Sequence, residues 1–158
     1  MFVFFLDVSG TAISRVYVIG GMDESAQNPK TTLQYNSKEG KWSILKNPTI
    51  AIHLHFGVAV LNRCIYAIGG YKSETVVEKY DAVKDRWEEV AKLQIPRWGH
   101  SACTVDGRIY VFGVVKEGEG FADTVEMYNS ETNQWSDIAA TNHFRRMNAA
   151  IAVHKGSI

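Results

Sequence analysis

Cysteine is scarce in this chain, and neither sign of charge is in surplus. The two cysteines, Cys64 and Cys103, sit in separate apolar runs, with no CxxC or Cys/His ligand spacing around them. That excludes a zinc-ribbon framework and gives no support to a disulfide scaffold, so both are read as reduced thiols in a packed core. Seventeen basic residues face seventeen acidic ones. No field exists to gather nucleic acid or a membrane surface, and neither is expected as a partner. Long apolar runs are missing too. The six residues MFVFFL at the start are too few to span a bilayer and lack the basic flank of a signal peptide, so they read as a buried strand. No Asn-x-Ser/Thr acceptor with a permitted middle residue occurs, which agrees with a cytoplasmic setting and leaves the nucleus open.

Chemistry-bearing motifs are equally few. There is no GxGxxG, no GxxxxGK[ST] and no GxSxG, which removes the phosphate cradles and the hydrolase elbow. Ser101 follows His100, but adjacency in sequence is not a catalytic geometry. His53-x-His55 could place two imidazoles on one face of an extended segment, yet nothing nearby completes a metal ligand set. The expectation is a folded chain without metal, cofactor or enzymatic activity.

What the sequence does contain is itself, three times over. "VYVIGG" from Val16, "IYAIGG" from Ile65 and "IYVFGV" from Ile109 are one pattern. "YNSKEGKW" from Tyr35, "YDAVKDRW" from Tyr80 and "YNSETNQW" from Tyr128 are another. Each tyrosine precedes a tryptophan (Trp42, Trp87, Trp135) by seven residues, and the tryptophans recur at 45 and then 48. A fixed period of this length marks a repeat architecture.

Each unit reads as four short strands. "GVAVLN" and "SACTVD" are the first type and "IYAIGG" the second. In the second type Ile65 and Ala67 fall on one face and Tyr66 and Ile68 on the other, so both faces need cover. "TVVEKYD" and "RWEEVA" grow progressively more polar. That gradient fits a twisted four-stranded antiparallel sheet set radially, inner strands buried and outer strand wet, and such sheets stacked about an axis make a β-propeller. Asn36, Asp81 and Asn129 follow the tyrosines and predict Asx-type turns into a solvated hairpin.

These residues resemble the kelch repeat, and over 16–158 they most resemble the propeller of BTB–kelch (Kelch-like) proteins. The repeat residues are Gly20, Gly21, Gly69, Gly70 and Gly113 at the strand ends, with Tyr35, Tyr80, Tyr128, Trp42, Trp87 and Trp135. The blade order of the family implies an all-β partial propeller: strands two to four of one blade at 16–45, complete blades at 57–90 and 101–138, and the first strand of a further blade at 149–154. Family propellers have about six blades, so the chain is expected to be part of a larger propeller or an arc completed by self-association. "FVFFLDV" could stand in for the missing first strand. An open arc would expose apolar faces at its two ends.

The resemblance implies a protein-recognition module. The most specific form is the substrate-recognition propeller of a BTB–kelch adaptor for a cullin-RING ubiquitin ligase, reaching cullin 3 through a BTB domain that this chain does not contain. The alternatives are an actin-binding or other kelch scaffold and a truncated product without function. Family ligands contact rim loops, here Met22–Thr32, Tyr71–Thr75 and Lys116–Thr124 together with Lys46–His55, Lys92–Gly99 and Ala140–Asn148. The rim candidates are His53, His55, Tyr71, Arg97, Trp98, Arg145 and Arg146. Arg97 and Arg146 follow the family's arginine position, and His53 takes that place in the earlier copy. The same two arginines could instead brace neighbouring loops by donating to carbonyls. Where relatives carry a second arginine, this chain has His55, Gly99 and Asn148, which argues against a strongly acidic peptide. One oddity is left: the third copy ends its second strand in Gly113–Val114. Either Val114 is strained at positive φ, or it is an ordinary extended residue at a reshaped exit; the second is expected.

Overall fold

A computed structural model describes residues 2–7, 14–20, 31–49, 54–116, 120–138, 149, 151 and 153. Twelve strands and no helix occur among them. The strands are β1 (Phe2–Asp7), β2 (Ser14–Ile19), β3 (Thr32–Asn36), β4 (Lys41–Leu45), β5 (Gly57–Leu61), β6 (Cys64–Ile68), β7 (Val77–Asp81), β8 (Arg86–Glu89), β9 (Ser101–Val105), β10 (Arg108–Lys116), β11 (Gly120–Asn129) and β12 (Gln134–Ile138). They form three four-stranded sheets in simple sequence order, β1–β4, β5–β8 and β9–β12. Every pairing is antiparallel. This is the all-β, blade-by-blade architecture of a partial propeller. β1 lies along β2 in the first-strand place, with Phe4 opposite Tyr17. Half of the strand expected at 149–154 lies outside the described residues, and Ala149, Ile151 and Val153 carry no strand; the Ser101 hydroxyl donates to the Ala149 carbonyl.

Turn chemistry explains the hairpins. Asn62–Arg63 and Asp106–Gly107 link the first two strands of blades two and three, and all four have positive φ. That pair of conformations is the two-residue loop whose twist matches antiparallel strands. The outer hairpins follow the Asx expectation. The Oδ1 of Asn36, Asp81 and Asn129 accepts from the amides of Lys38, Val83 and Glu131 at 3.0, 2.9 and 3.0 Å. The turn brings each tyrosine directly opposite its tryptophan, with ring centroids 5.2, 5.2 and 4.9 Å apart.

Two apolar cores lie between blades. Between the first and second blades are Tyr17, Ile19, Phe56, Ile65, Ala67, Tyr80 and Trp87. Between the second and third are Ala59, Leu61, Tyr66, Ile68, Val77, Leu93, Ile109, Val111, Tyr128 and Trp135. The alternation of β6 sends Ile65 and Ala67 to one core and Tyr66 and Ile68 to the other, as the doubly apolar pattern required. Cys64 packs at the margin of the second core, and both cysteines are free thiols. Burial of either pushes its thiol pKa up.

Polar bonds join the same blades. The Trp87 indole donates to the Lys46 carbonyl at 3.0 Å, and the Lys46 amide donates to Asp85 Oδ1 at 3.2 Å. One repeat later, the Trp135 indole donates to the Ala91 carbonyl at 2.8 Å, and the Ala91 amide donates to Asn133 Oδ1 at 3.0 Å. The tyrosine hydroxyls complete the cluster, Tyr80 donating to Asp85 and Tyr128 to Asn133, at 2.8 and 2.9 Å.

The third blade departs from the expected loop at Lys116–Thr124. β10 does not end at the glycine. Gly113 has φ 81°, and the register with β11 shifts between Phe112 and Val114. Beyond this bulge the ladder resumes, pairing Val114 with Ala122, Val115 with Phe121 and Lys116 with Gly120. Positive φ therefore falls on the first glycine position of the motif, as at Gly20 and Gly69, and Val114 is an extended, paired strand residue. A bulge admits one extra residue and re-aims the strand, so the expected loop is mostly strand. Substituting Val114→Gly is expected to leave the urea midpoint unchanged or lower stability by about 0.5–1 kcal/mol. Gly113→Ala is expected to cost about 1–2 kcal/mol. A rise in midpoint for Val114→Gly would contradict the paired geometry.

Candidate functional site

Three connections meet at one edge of the second blade: the segment from β4 to β5, the β6–β7 turn and the segment from β8 to β9. Backbone bonds lace them together. The Tyr71 amide donates to the Leu54 carbonyl at 2.9 Å, Gly99 to His55 at 2.7 Å and Gly70 to Arg97 at 2.9 Å. In the other direction the Arg97 amide donates to the Glu74 carbonyl at 2.9 Å. Such close approach explains the glycine doublet. A Cβ on Gly69 would lie 2.6 Å from the Arg97 carbonyl oxygen, and one on Gly70 would lie 2.9 Å from the Phe56 Cβ.

On this laced edge stand three of the expected rim residues. The Trp98 ring lies 5.8 Å from His55 and 5.9 Å, edge-on, from Tyr71. Tyr71 and His55 are exposed and Trp98 is half-buried. Lys72 carries its ammonium 5.7 Å from the centre of the Tyr71 ring, within cation–π range. Both His55 and Lys72 have positive φ, 61° and 70°. Non-glycine residues in that region are uncommon and need surrounding structure to hold them. The result is an aromatic surface on cross-bonded backbone with a cation at its border. His53, Arg145 and Arg146 lie outside the described residues, as does Gly21. The described repeat glycines, Gly20, Gly69, Gly70 and Gly113, all have positive φ.

Arg97 is not an exposed rim residue. Its side chain is fully buried. Nε donates to Glu126 Oε2 at 2.7 Å, Nη1 donates to the carbonyls of Gly113 and Thr124 at 2.8 and 3.0 Å, and Nη2 donates to Thr124 Oγ1 at 3.1 Å. The guanidinium is a fork with donors in fixed directions, and here it clamps the β8–β9 connection onto β10 and β11. The bracing alternative is the correct one for this residue. Its partner Glu126 is also buried, and its Oε1 accepts from the Gln94 amide at 2.7 Å. Glu78, two residues before its own tyrosine as Glu126 is, accepts from the Thr49 amide at 2.8 Å. Neither carboxylate stands out in the local strand pattern, where each reads as an ordinary strand charge. Their shared place before the tyrosine was the available signal.

Next to this clamp, His100 is buried, and neither ring nitrogen makes a well-formed hydrogen bond with the described residues, the Ile68 backbone being its nearest polar contact. A Cβ on Gly57 would come within 2.5 Å of its Nε2, so the imidazole occupies the space a side chain there would need. Burial first, and the Arg97 charge second, push its pKa down to about 3. No group of three or more His, Cys, Asp or Glu among the described residues could hold a metal ion.

Two outcomes follow for stability. Arg97→Met leaves the Glu126 carboxylate buried without its cation and is expected to cost about 3–5 kcal/mol in chemical denaturation. Adding Glu126→Gln should recover much of it; a single variant as stable as the parent would show the pair to be dispensable. The second outcome concerns pH. The unfolded chain binds a proton on His100 near its ordinary value of 6.5, whereas the folded chain does not until about 3. Stability is therefore full above that ordinary value and falls as pH drops through it. Urea midpoints between about pH 7.5 and 5 should show this slope, and His100→Phe, copying Phe56 of the preceding repeat, should flatten it.

Comparison with known proteins agrees with this architecture. A family model described as the KLHDC2/KLHL20/DRC7 Kelch-repeats domain matches residues 9–158. Kelch-like protein 23 of Homo sapiens is 31% identical over 134 residues, covering 81% of this chain and 24% of that protein. F-box/kelch-repeat protein At5g26960 of Arabidopsis thaliana is 31% identical over 133 residues, covering 77% of this chain and 30% of that protein. Kelch-like protein 6 of Homo sapiens is 28% identical over 116 residues, covering 73% of this chain and 17% of that protein. The chain thus spans between 17% and 30% of the length of these relatives. With its period, its blades and its tyrosine–tryptophan pairs accounted for by one repeat, the chain belongs to the kelch-repeat family.

Proposed function

We propose that this protein-interaction propeller takes its partner on the edge where His55, Tyr71 and Trp98 converge, and that it serves as the substrate-recognition part of a BTB–kelch adaptor for a cullin-RING ubiquitin ligase. The observation that carries the first half is the aromatic cluster on laced backbone. Tyr, Trp and Arg are the usual anchors of protein interfaces, and loops already ordered before binding lose little freedom when a partner docks. The likeness to Kelch-like proteins along most of the chain supports the second half. The reading is of a binding module, not an enzyme, acting in the cytoplasm. The bridge to cullin 3 belongs to a BTB domain of the whole protein.

Proximity labelling and affinity capture in cells test both halves. Tyr71→Ala and Trp98→Ala are expected to lower recovery of the same partner set at least about tenfold. Val83→Asp, in the exposed outer hairpin of the same blade, should leave recovery unchanged. If Val83→Asp and the aromatic variants behave alike, the edge is not the binding surface. For the ligase role, capture with the whole protein should co-recover cullin 3, and partner abundance should rise when cullin activity is blocked. Co-sedimentation with actin filaments without cullin 3 would instead assign a scaffold.

A further inference from the structure

The contacts on the laced edge run as a series with a basic side chain at each end. His55 meets Trp98, Trp98 meets Tyr71, and the Lys72 ammonium lies over the Tyr71 ring. Both end residues stand at positive φ, 61° and 70°. The counterpart of His55 in the next repeat is Gly99, with φ 65°, so this backbone position asks for glycine. Glycine enters that region freely, and a side chain there costs stability. Beyond their ring contacts, neither the His55 nor the Lys72 side chain makes a hydrogen bond or ion pair with another described residue that would offset the cost. The charge around the series is of one sign. Glu74 is the only carboxylate among the described residues of the three connections, and its Oε1 already accepts from the Lys72 amide at 3.0 Å. The second blade packs on the first through one core and on the third through the other. Blades stack face to face, so a further blade has no place against this edge, and Tyr71 is 47% exposed there.

We propose that this edge reads a protein segment that presents an apolar side chain with a carboxylate beside it. The apolar group seats against Trp98 and Tyr71, the carboxylate takes the Lys72 ammonium, and the His55 imidazole supplies a second polar contact at the other end of the series. The proposal rests on the reading of this edge as the binding surface and adds the chemistry of what it selects. Charge complementarity carries it. A basic pair without an exposed carboxylate to match calls for the opposite sign in the partner, and like charge there would be rejected. Lysine supplies one permanent cation, so the match is a single carboxylate and not an acidic run, in keeping with the missing second arginine. Strained backbone is retained where a side chain has work outside the fold, and both ends of the series have it.

A random peptide library displayed on phage and selected on the purified 158-residue chain tests it. Enriched peptides are expected to share Asp or Glu next to an aromatic, aliphatic or prolyl residue. In fluorescence anisotropy with one such peptide, Lys72→Gln should weaken binding about five- to tenfold, as should replacing the peptide's carboxylate by its amide. The two changes together should cost little more than either alone. Selection on Lys72→Glu should turn towards peptides with Lys or Arg. His55→Gly should raise the melting temperature by about 2–4 °C while weakening the same peptide. Circular dichroism checks that every variant folds. A selection that enriches no peptide, or peptides without acidic residues, overturns the proposal. So do additive losses in the double replacement, or a His55→Gly chain that melts below the parent. Trp98→Ala separates this proposal from the reading beneath it. Peptide binding that survives Trp98→Ala places the surface elsewhere and overturns both. Binding lost in Trp98→Ala but unmoved in Lys72→Glu keeps the edge and overturns acidic recognition alone.

Discussion

One residue between consecutive blades holds the architecture together through both of its peptide groups. Lys46 gives its carbonyl to the Trp87 indole and its amide to Asp85; Ala91 gives the same pair to Trp135 and Asn133. Hydrogen bonds fix direction and spacing, whereas the apolar cores beside them contribute most of the energy, about 1.5–3 kcal/mol for each large side chain fully buried. The acceptor residue must reach back to the amide and also receive the tyrosine hydroxyl. Asp85 and Asn133 do this from positive φ, and Gly40 holds the matching conformation in the first blade without a side chain. The seven-residue interval between tyrosine and tryptophan is thus the length of a hairpin that sets two rings opposite each other and points the indole at the preceding blade.

A second layer of polar contacts turns this stack into a platform. Buried carboxylates at Glu78 and Glu126 receive amides from the connections that precede their blades, and Arg97 adds the clamp that draws the bulged strand, β11 and the β8–β9 connection together. A buried ion pair of this sort is held in place more by the cost of breaking it than by any net gain in forming it. The backbone carrying Tyr71 and Trp98 is tied on several sides by hydrogen bonds, so the aromatic surface is held in place from within the chain. His100 belongs to the same packed layer, and the burial that keeps its ring neutral makes that layer sensitive to acid.

The bulge at Gly113 shows how one repeat can vary without leaving the architecture. In the second blade the glycine doublet ends the strand and lets three loops approach backbone to backbone. In the third blade Gly113 keeps the positive φ while Val114 returns to the ladder, and the hairpin extends. The carbonyl of Gly113 is also one of the acceptors for Arg97, so the bulge and the clamp are parts of one arrangement.

The period, the four strands of each unit, the doubly apolar second strand, the Asx turns and the tyrosine–tryptophan pairs were legible from residue order, because each arises from contacts within a few residues or from strict alternation along a strand. The choice between an exposed and a buried Arg97 was not. Its partners lie 16 to 29 residues away, and nothing in a local pattern separates a solvated Glu126 from a buried one. The rim cluster was half legible: the sequence named His55, Tyr71 and Trp98, but their meeting required three loops to be laced by backbone bonds that carry no residue signature. What the sequence by itself determined is the repeating unit, which depends on short-range periodicity. What only the tertiary structure decided is which charged and aromatic side chains are sealed between units and which remain at the surface, because that depends on contacts between blades.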